Sequence, residues 1–178
     1  MPIRTPDELL IQEAREIYSA EKQLSRQLPK MIKAVQNETL RRKLEERREH
    51  GATLLEQMDQ AFEELGSSPG RKKNEVVEGF ISDINEHMEE IQNPAMKDAV
   101  LLGATQMIEH YCIAAWGTTA AYARVLGKKR YVKAMEGALK IGKRYDDEMT
   151  ELAEREVNPA MVQPQGEEAP SKSASKKK

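Results

Sequence analysis

Between Ala99 and Ala123 the chain carries one acid, Glu109, and one histidine, His110, with no lysine, arginine or aspartate at all. A helix apolar on every side belongs inside a bundle rather than on its surface. An ionised carboxylate left there without a partner is too costly for a small domain. Glu109 must therefore be neutral, hydrogen-bonded or bound to a cation. The run is long enough to raise the question of a membrane span. Gln106, Glu109, His110 and the interspersed threonines and glycines argue against lipid, as does the lack of flanking aromatic and basic belts.

Composition narrows the fold class. A third of the 178 residues are charged, the formal balance is only -2, and aromatic residues make up 4%. Such a chain is built for long helices, and its near-neutral balance gives no global bias toward nucleic acid or acidic lipid. The single cysteine, Cys112, excludes an internal disulfide framework and any CxxC-type metal site. Within the apolar run it reads as a small core residue rather than a reactive thiol. Met1 to Pro6 is too short and polar for a secretory signal, so the expected compartment is the cytoplasm.

Helix punctuation is clear. Thr5-Pro6-Asp7-Glu8 forms a capping box with proline at the first helical position. A seam then runs through Leu10, Ala14, Ile17, Glu21, Leu24, Leu28, Met31 and Val35, with a bend expected at Pro29. Asn37 or Thr39 starts a second helix that ends near Gly66, ahead of Ser67-Ser68-Pro69-Gly70. A shorter amphipathic helix follows, carrying Val77, Phe80, Ile84, Met88 and Ile91. Asn93-Pro94 then opens the apolar helix, which runs to Leu126-Gly127. The last helix is expected from Lys128 to about Glu156, closed by Pro159. No strand-like alternation occurs. The expected fold is all-α, a bundle over residues 1–157 with a short helix in the connection between the second and third long helices. Residues 158–178, rich in Pro, Ser and Lys, read as a disordered tail whose terminal lysines are a solvated end.

Acids fall where core residues belong. Glu21 takes a place in the first seam, Glu109 lies in the apolar helix, and Asp146 lies between Gly142 and Met149 on the last. His50 shares a row with Leu54 and Met58, with Glu46 one turn earlier. Carboxylates and an imidazole converging from four helices suit a hard or borderline cation, with Glu21, Glu46, His50, Glu109 and Asp146 as candidate ligands. Each has a plainer reading: Glu21 can reach out toward Lys22 or Arg26, and Glu46 belongs to a charge-dense stretch from Lys43 to His50.

Ile17-Tyr18-Ser19-Ala20-Glu21-Lys22-Gln23-Leu24 with Leu28-Pro29-Lys30-Met31 resembles the first-helix signature of the YciE/YciF-like bacterial proteins of the ferritin-like superfamily. Ile108-Glu109-His110-Tyr111, with Ile113-Ala114 and Gly117-Thr118, resembles their third-helix signature, and Asp146 through Glu154 the end of their last helix. The resemblance implies a ferritin-like four-helix bundle with a fifth helix, a homodimer, a role in stress responses and a di-metal carboxylate site of iron or manganese. Glu21, Glu109 and Asp146 occupy matching positions. The departures are as informative: Cys112 and Gly142 stand where the family usually has acids, and Arg47 and Gly51 fall at inward positions of the second helix. No Glu-x-x-His pair is present, although such pairs serve two helices of a full di-iron centre.

Three functions follow. One is a ferritin-like metal protein with a partly degenerate iron or manganese site. Another is a metal-free dimeric scaffold or partner-binding protein, in which Arg47 replaces the metal by pairing with Glu21 or Glu109. The third, a DNA-associated protein acting through Lys172 and Lys176–Lys178, has the least support in a chain of net acidic charge. No setting for a nucleophilic hydrolase is found, and whether the chain is an enzyme stays open.

Overall fold

A computed structural model describes residues 2–162, so the expected tail lies largely outside the described residues. The elements are α1 (Pro6–Ala34), α2 (Glu38–Glu64), α3 (Glu75–Glu90), α4 (Pro94–Val125) and α5 (Lys129–Leu152). A wide π-helical turn (Ala153–Val157) and a short α6 (Asn158–Ala160) follow. No strand occurs among the described residues.

The starts are fixed by side chains. Thr5 Oγ1 accepts from the Glu8 amide at 3.2 Å, and the Glu8 carboxylate accepts in return from the Thr5 amide at 3.1 Å. Asn37, Asn74 and Asn93 cap α2, α3 and α4 in the same manner. Gly66 and Gly127, with φ of 61° and 70°, supply the left-handed turns after α2 and α4. Helix α1 runs on through Pro29. That residue is exposed, so water can serve the carbonyl its ring leaves without a donor. The last helix ends earlier than its periodicity predicts. Its ladder widens, with the Asn158 amide donating to Ala153 O, and α6 carries the chain through Pro159.

Contacts between helix ends set the directions. Gln36 and Asn37 amides donate to the Asp98 carboxylate at 2.9 and 2.7 Å, fixing the start of α4 beside the α1–α2 turn. Lys43 of α2 pairs with Glu148 near the end of α5, while Glu64 at the end of α2 accepts from the Arg130 amide. Lys128, just before α5, pairs with Asp7 at the start of α1. Hence α1 and α5 run one way and α2 and α4 the other. The packed long-helix pairs are therefore antiparallel, with α2 and α4 parallel across the diagonal. Joining these two successive parallel helices needs a crossover, and α3 provides it, packing on α1 and α4.

The core runs the length of the four long helices, from Leu10 and Phe62 at one end through Ile17, Leu54 and Trp116 to Met31, Leu40 and Leu101 at the other. Helix α4 is not wholly enclosed. Ile108, Cys112, Trp116 and Ala123 face inward, but Met107, Tyr122 and Val125 are exposed. A single four-helix layer has one core, so a helix apolar all round keeps an outer apolar face.

Candidate functional site

Helix period brings Glu21 of α1, Arg47 of α2 and Glu109 of α4 to the same depth of the bundle, and each is at most 3% exposed. The Arg47 guanidinium lies between the two acids. Its Nη2 donates to Glu21 Oε1 at 3.0 Å and its Nη1 to Glu21 Oε2 at 3.1 Å, a fork-on-fork pair. Its Nε donates to Glu109 Oε2 at 2.6 Å. The Cys112 sulfur lies 3.9 Å from Nη2, and the Trp116 ring lies under the guanidinium, 5.7 Å from its carbon to the centroid.

Two glycines make room for this arrangement. A Cβ at Gly51 would stand 3.1 Å from both Arg47 Nη1 and Glu21 Oε2. A Cβ at Gly142 would come within 2.5 Å of Trp116 Cζ3 and 2.7 Å of Glu109 Oε1. The positions at which the resemblance marked departures are thus one physical feature: Arg47 is the centre of the ion triad, and Gly51, Cys112 and Gly142 line it.

The electrostatics follow from burial. Burial opposes the charge on Arg47, but Glu21 and Glu109 outweigh it and hold the guanidinium protonated well above its ordinary range. Burial pushes the Glu109 carboxyl up from its ordinary value of 4.5, against the pull of Arg47. One cation facing two acids leaves that tendency unbalanced, and Glu109 Oε1 has no hydrogen-bond partner. Cys112 is held as a thiol, chiefly by burial and then by Glu21, so it has no nucleophilic character.

The remaining candidates lie elsewhere. His50 packs edge-to-face on Trp116 with ring centroids 6.0 Å apart. Burial first, and Arg47 second, depress its pKa to about 4. Glu46 is exposed and pairs with Lys43 at 2.7 Å. Asp146 sits at the margin of α5, where Oδ2 is 2.9 Å from His110 Nε2 and Oδ1 accepts from Gln106 at 3.3 Å. Of the five candidate ligands, then, only Glu21 and Glu109 meet, and they meet around a guanidinium. Among the described residues no group of three or more His, Cys, Asp or Glu side chains is placed to hold a metal ion. The donor set does not fit a di-metal centre: Arg47 takes both oxygens of Glu21 and one of Glu109, and the neighbouring positions are two glycines and a protonated cysteine. Sequence reasoning missed Trp116, whose role beside Arg47 needs the α2–α4 packing. It also missed the His110–Asp146 pair, which joins two residues 36 apart in sequence.

Comparison with known proteins places this geometry in context. Residues 5–162 match the family described as a domain of unknown function, DUF892. Protein YciF of Escherichia coli K12 is 35% identical over 159 residues, covering 89% of this chain and 96% of YciF. The crystal structure of the E. coli stress protein YciF superposes with a TM-score of 0.83 at 34% identity, covering 88% of this chain and 99% of that one. YcfI from Rhodopseudomonas palustris, proposed to be a structural protein, gives 0.79 at 32% identity over 83% and 94% of the two chains.

Proposed function

This chain belongs to the DUF892 family, and we propose that within it the protein is a metal-free, stress-associated helical scaffold that works as a homodimer. One observation carries the reading: the Arg47 guanidinium sits between Glu21 and Glu109, two of the acids that the ferritin-like resemblance marks as candidate metal ligands. A guanidinium supplies fixed charge and directional donors but no open coordination position and no redox chemistry. Its natural consequence is a cross-braced bundle in which three helices are tied at mid-height. The alternative, an iron or manganese centre at Glu21, Glu46, His50, Glu109 and Asp146, requires Arg47 to leave and Glu46 to turn inward from solvent.

The dimer reading rests on α4. Met107 is 49% exposed and Val125 87% exposed, on a helix whose opposite face already fills the core. A second copy of α4 would bury this outer face and account for a helix with almost no charges. No helix among the described residues is long and apolar enough to cross a membrane. The stress association is taken from the relationship to YciF.

The test is elemental analysis of untagged protein, paired with melting curves before and after chelation and with added iron, manganese or zinc. The scaffold reading expects substoichiometric metal and a melting temperature unmoved by chelator or by any of the three ions. Near-stoichiometric iron or manganese, with a melting temperature that falls on its removal, would replace this reading with the metal one.

A further inference from the structure

A concave site outside the bundle core combines positive charge with a rigid frame. Helix α1 forms one wall, where Tyr18, Lys22 and Arg26 follow one another at four-residue spacing on one row. The chain after α2 forms the other, from Pro69 and Gly70 to Arg71-Lys72-Lys73. Five of the side chains lining this cleft of about 220 Å³ are cationic and none is acidic.

The loop is fastened to α1 rather than draped over it. Arg15 donates to Ser68 O and to Ser67 Oγ, both at 3.0 Å. Buried Asn74 donates from its amide to Ser19 Oγ at 2.9 Å and from its side chain to Glu16 O at 3.2 Å. Gly70, with φ of 73°, turns the chain against Arg15. Tyr18 is held edge-on by Phe62, with ring centroids 5.9 Å apart. These contacts hold the two walls in place before any ligand arrives.

Local charge balance is incomplete. Lys72 pairs with Glu16 and Lys73 with Glu78. Lys22, Arg26 and Arg71 are exposed and have no carboxylate partner among the described residues, Lys22 resting only on the Tyr18 ring at 5.5 Å. Gathering three unpaired cations around one concavity works against folding and calls for a compensating role. Ser19 points the same way. Its hydroxyl oxygen accepts from the Asn74 amide and from Gln23 at 3.3 Å, while its own proton has no acceptor among the described residues.

We propose that this cleft binds a small polyphosphate anion, held by the forked guanidinium groups of Arg26 and Arg71, by the Lys22 ammonium, and by the Ser19 hydroxyl as a neutral donor. Arginine forks match phosphate oxygens in pairs, and lysine adds a mobile point charge. Three unpaired cations suit a ligand of about three negative charges, more than a single sulfate carries. The cleft is below the usual size of roughly 300–1,000 Å³ for a drug-like ligand, which favours a compact anion. Glu13, Glu16 and Glu75 lie around Lys72 at its rim and oppose the long backbone of a nucleic acid.

The experiment is calorimetric titration of the full chain with pyrophosphate at two potassium chloride concentrations. Three variants accompany it: Arg26→Gln/Arg71→Gln, Ser19→Ala, and Lys176→Gln/Lys177→Gln/Lys178→Gln. One site is expected, with affinity falling as salt rises. The double arginine variant should lose at least tenfold and the Ser19 variant a few-fold, while the tail variant should match the parent. Circular dichroism should show the arginine variant as helical as the parent, because both side chains are exposed. No saturable heat at millimolar pyrophosphate would overturn the proposal, as would equal affinity in the arginine variant, equal competition by sulfate, or loss of binding with the tail lysines. Tight binding of a single-stranded oligonucleotide that pyrophosphate does not displace would overturn it in favour of nucleic acid.

Discussion

Arg47 is the residue on which the interior turns, because removing it alone costs far more than removing the charge of its whole triad at once. Arg47→Ala leaves Glu21 and Glu109 facing each other in a dry core. The expected loss is about 3–5 kcal/mol, read from urea unfolding midpoints. Removing charge from all three members at once, as Arg47→Met with Glu21→Gln and Glu109→Gln, should recover much of that loss, because no ion is then buried alone. If the single variant unfolds at the parent's midpoint, the triad is not a structural brace. His50 gives a second handle at this scale. Its pKa is about 4 in the fold against an ordinary 6.5, so between those values the unfolded chain binds the proton more readily. Its contribution is full above pH 6.5 and is lost as pH falls toward 4. Glu109, pushed upward, acts in the opposite sense: its contribution is full below the ordinary 4.5 and declines as pH rises through its folded value. Between pH 7 and pH 4.5 the two groups oppose each other, so the readout is the difference between variants: on acidification across this range His50→Gln should lose less melting temperature than the parent. Parallel curves would show that His50 is not the group responsible.

At the scale of elements, helix contact distance around the triad is set by glycine. Gly142→Ala places a methyl group 2.5 Å from the Trp116 ring and 2.7 Å from Glu109. Both neighbours are locked, one by its size and the other by Arg47, so α5 must move outward. The expected cost is about 1–3 kcal/mol by overpacking. Gly103→Ala on α4 meets nothing within 4 Å and should stabilise by up to about 1 kcal/mol through helix propensity alone. Thermal melts of the two variants should shift in opposite directions. A shared shift would mean that the close approach at Gly142 is relieved without strain. The same closeness explains why glycine stands in a helix interior at all, where propensity argues against it.

For the whole molecule, the predicted consequence of the outer α4 face is assembly. Met107→Glu puts a charge in the middle of that face without touching the core. It should convert a dimer to a monomer in sedimentation equilibrium, with helical content retained. A monomeric parent would remove the dimer from the proposed function while leaving the triad untouched. The fold itself was largely legible in the chain. Capping residues, glycine stops and three-four spacing are local signals, so Thr5, Asn93 and Gly127 marked helix ends without knowledge of any partner, while the structure chose Asn37 over Thr39 as the cap of α2. The end of α5 was not, because its wide turn at Ala153–Val157 has no local punctuation apart from Pro159.

The same division holds for the site. Sequence alone required that Glu109 be neutral, hydrogen-bonded or bound to a cation, since a bare buried charge is too costly, and it placed Glu21 at an inward position by period. Which cation answers that requirement is a matter of distances between α1, α2 and α4, and no local pattern encodes them. Only packing decided that Arg47 reaches both acids, that Gly51 and Gly142 clear its space, and that Asp146 turns to His110 at the margin. A helix's own residues settle which face it buries. What that face meets depends on residues brought together from elsewhere in the chain.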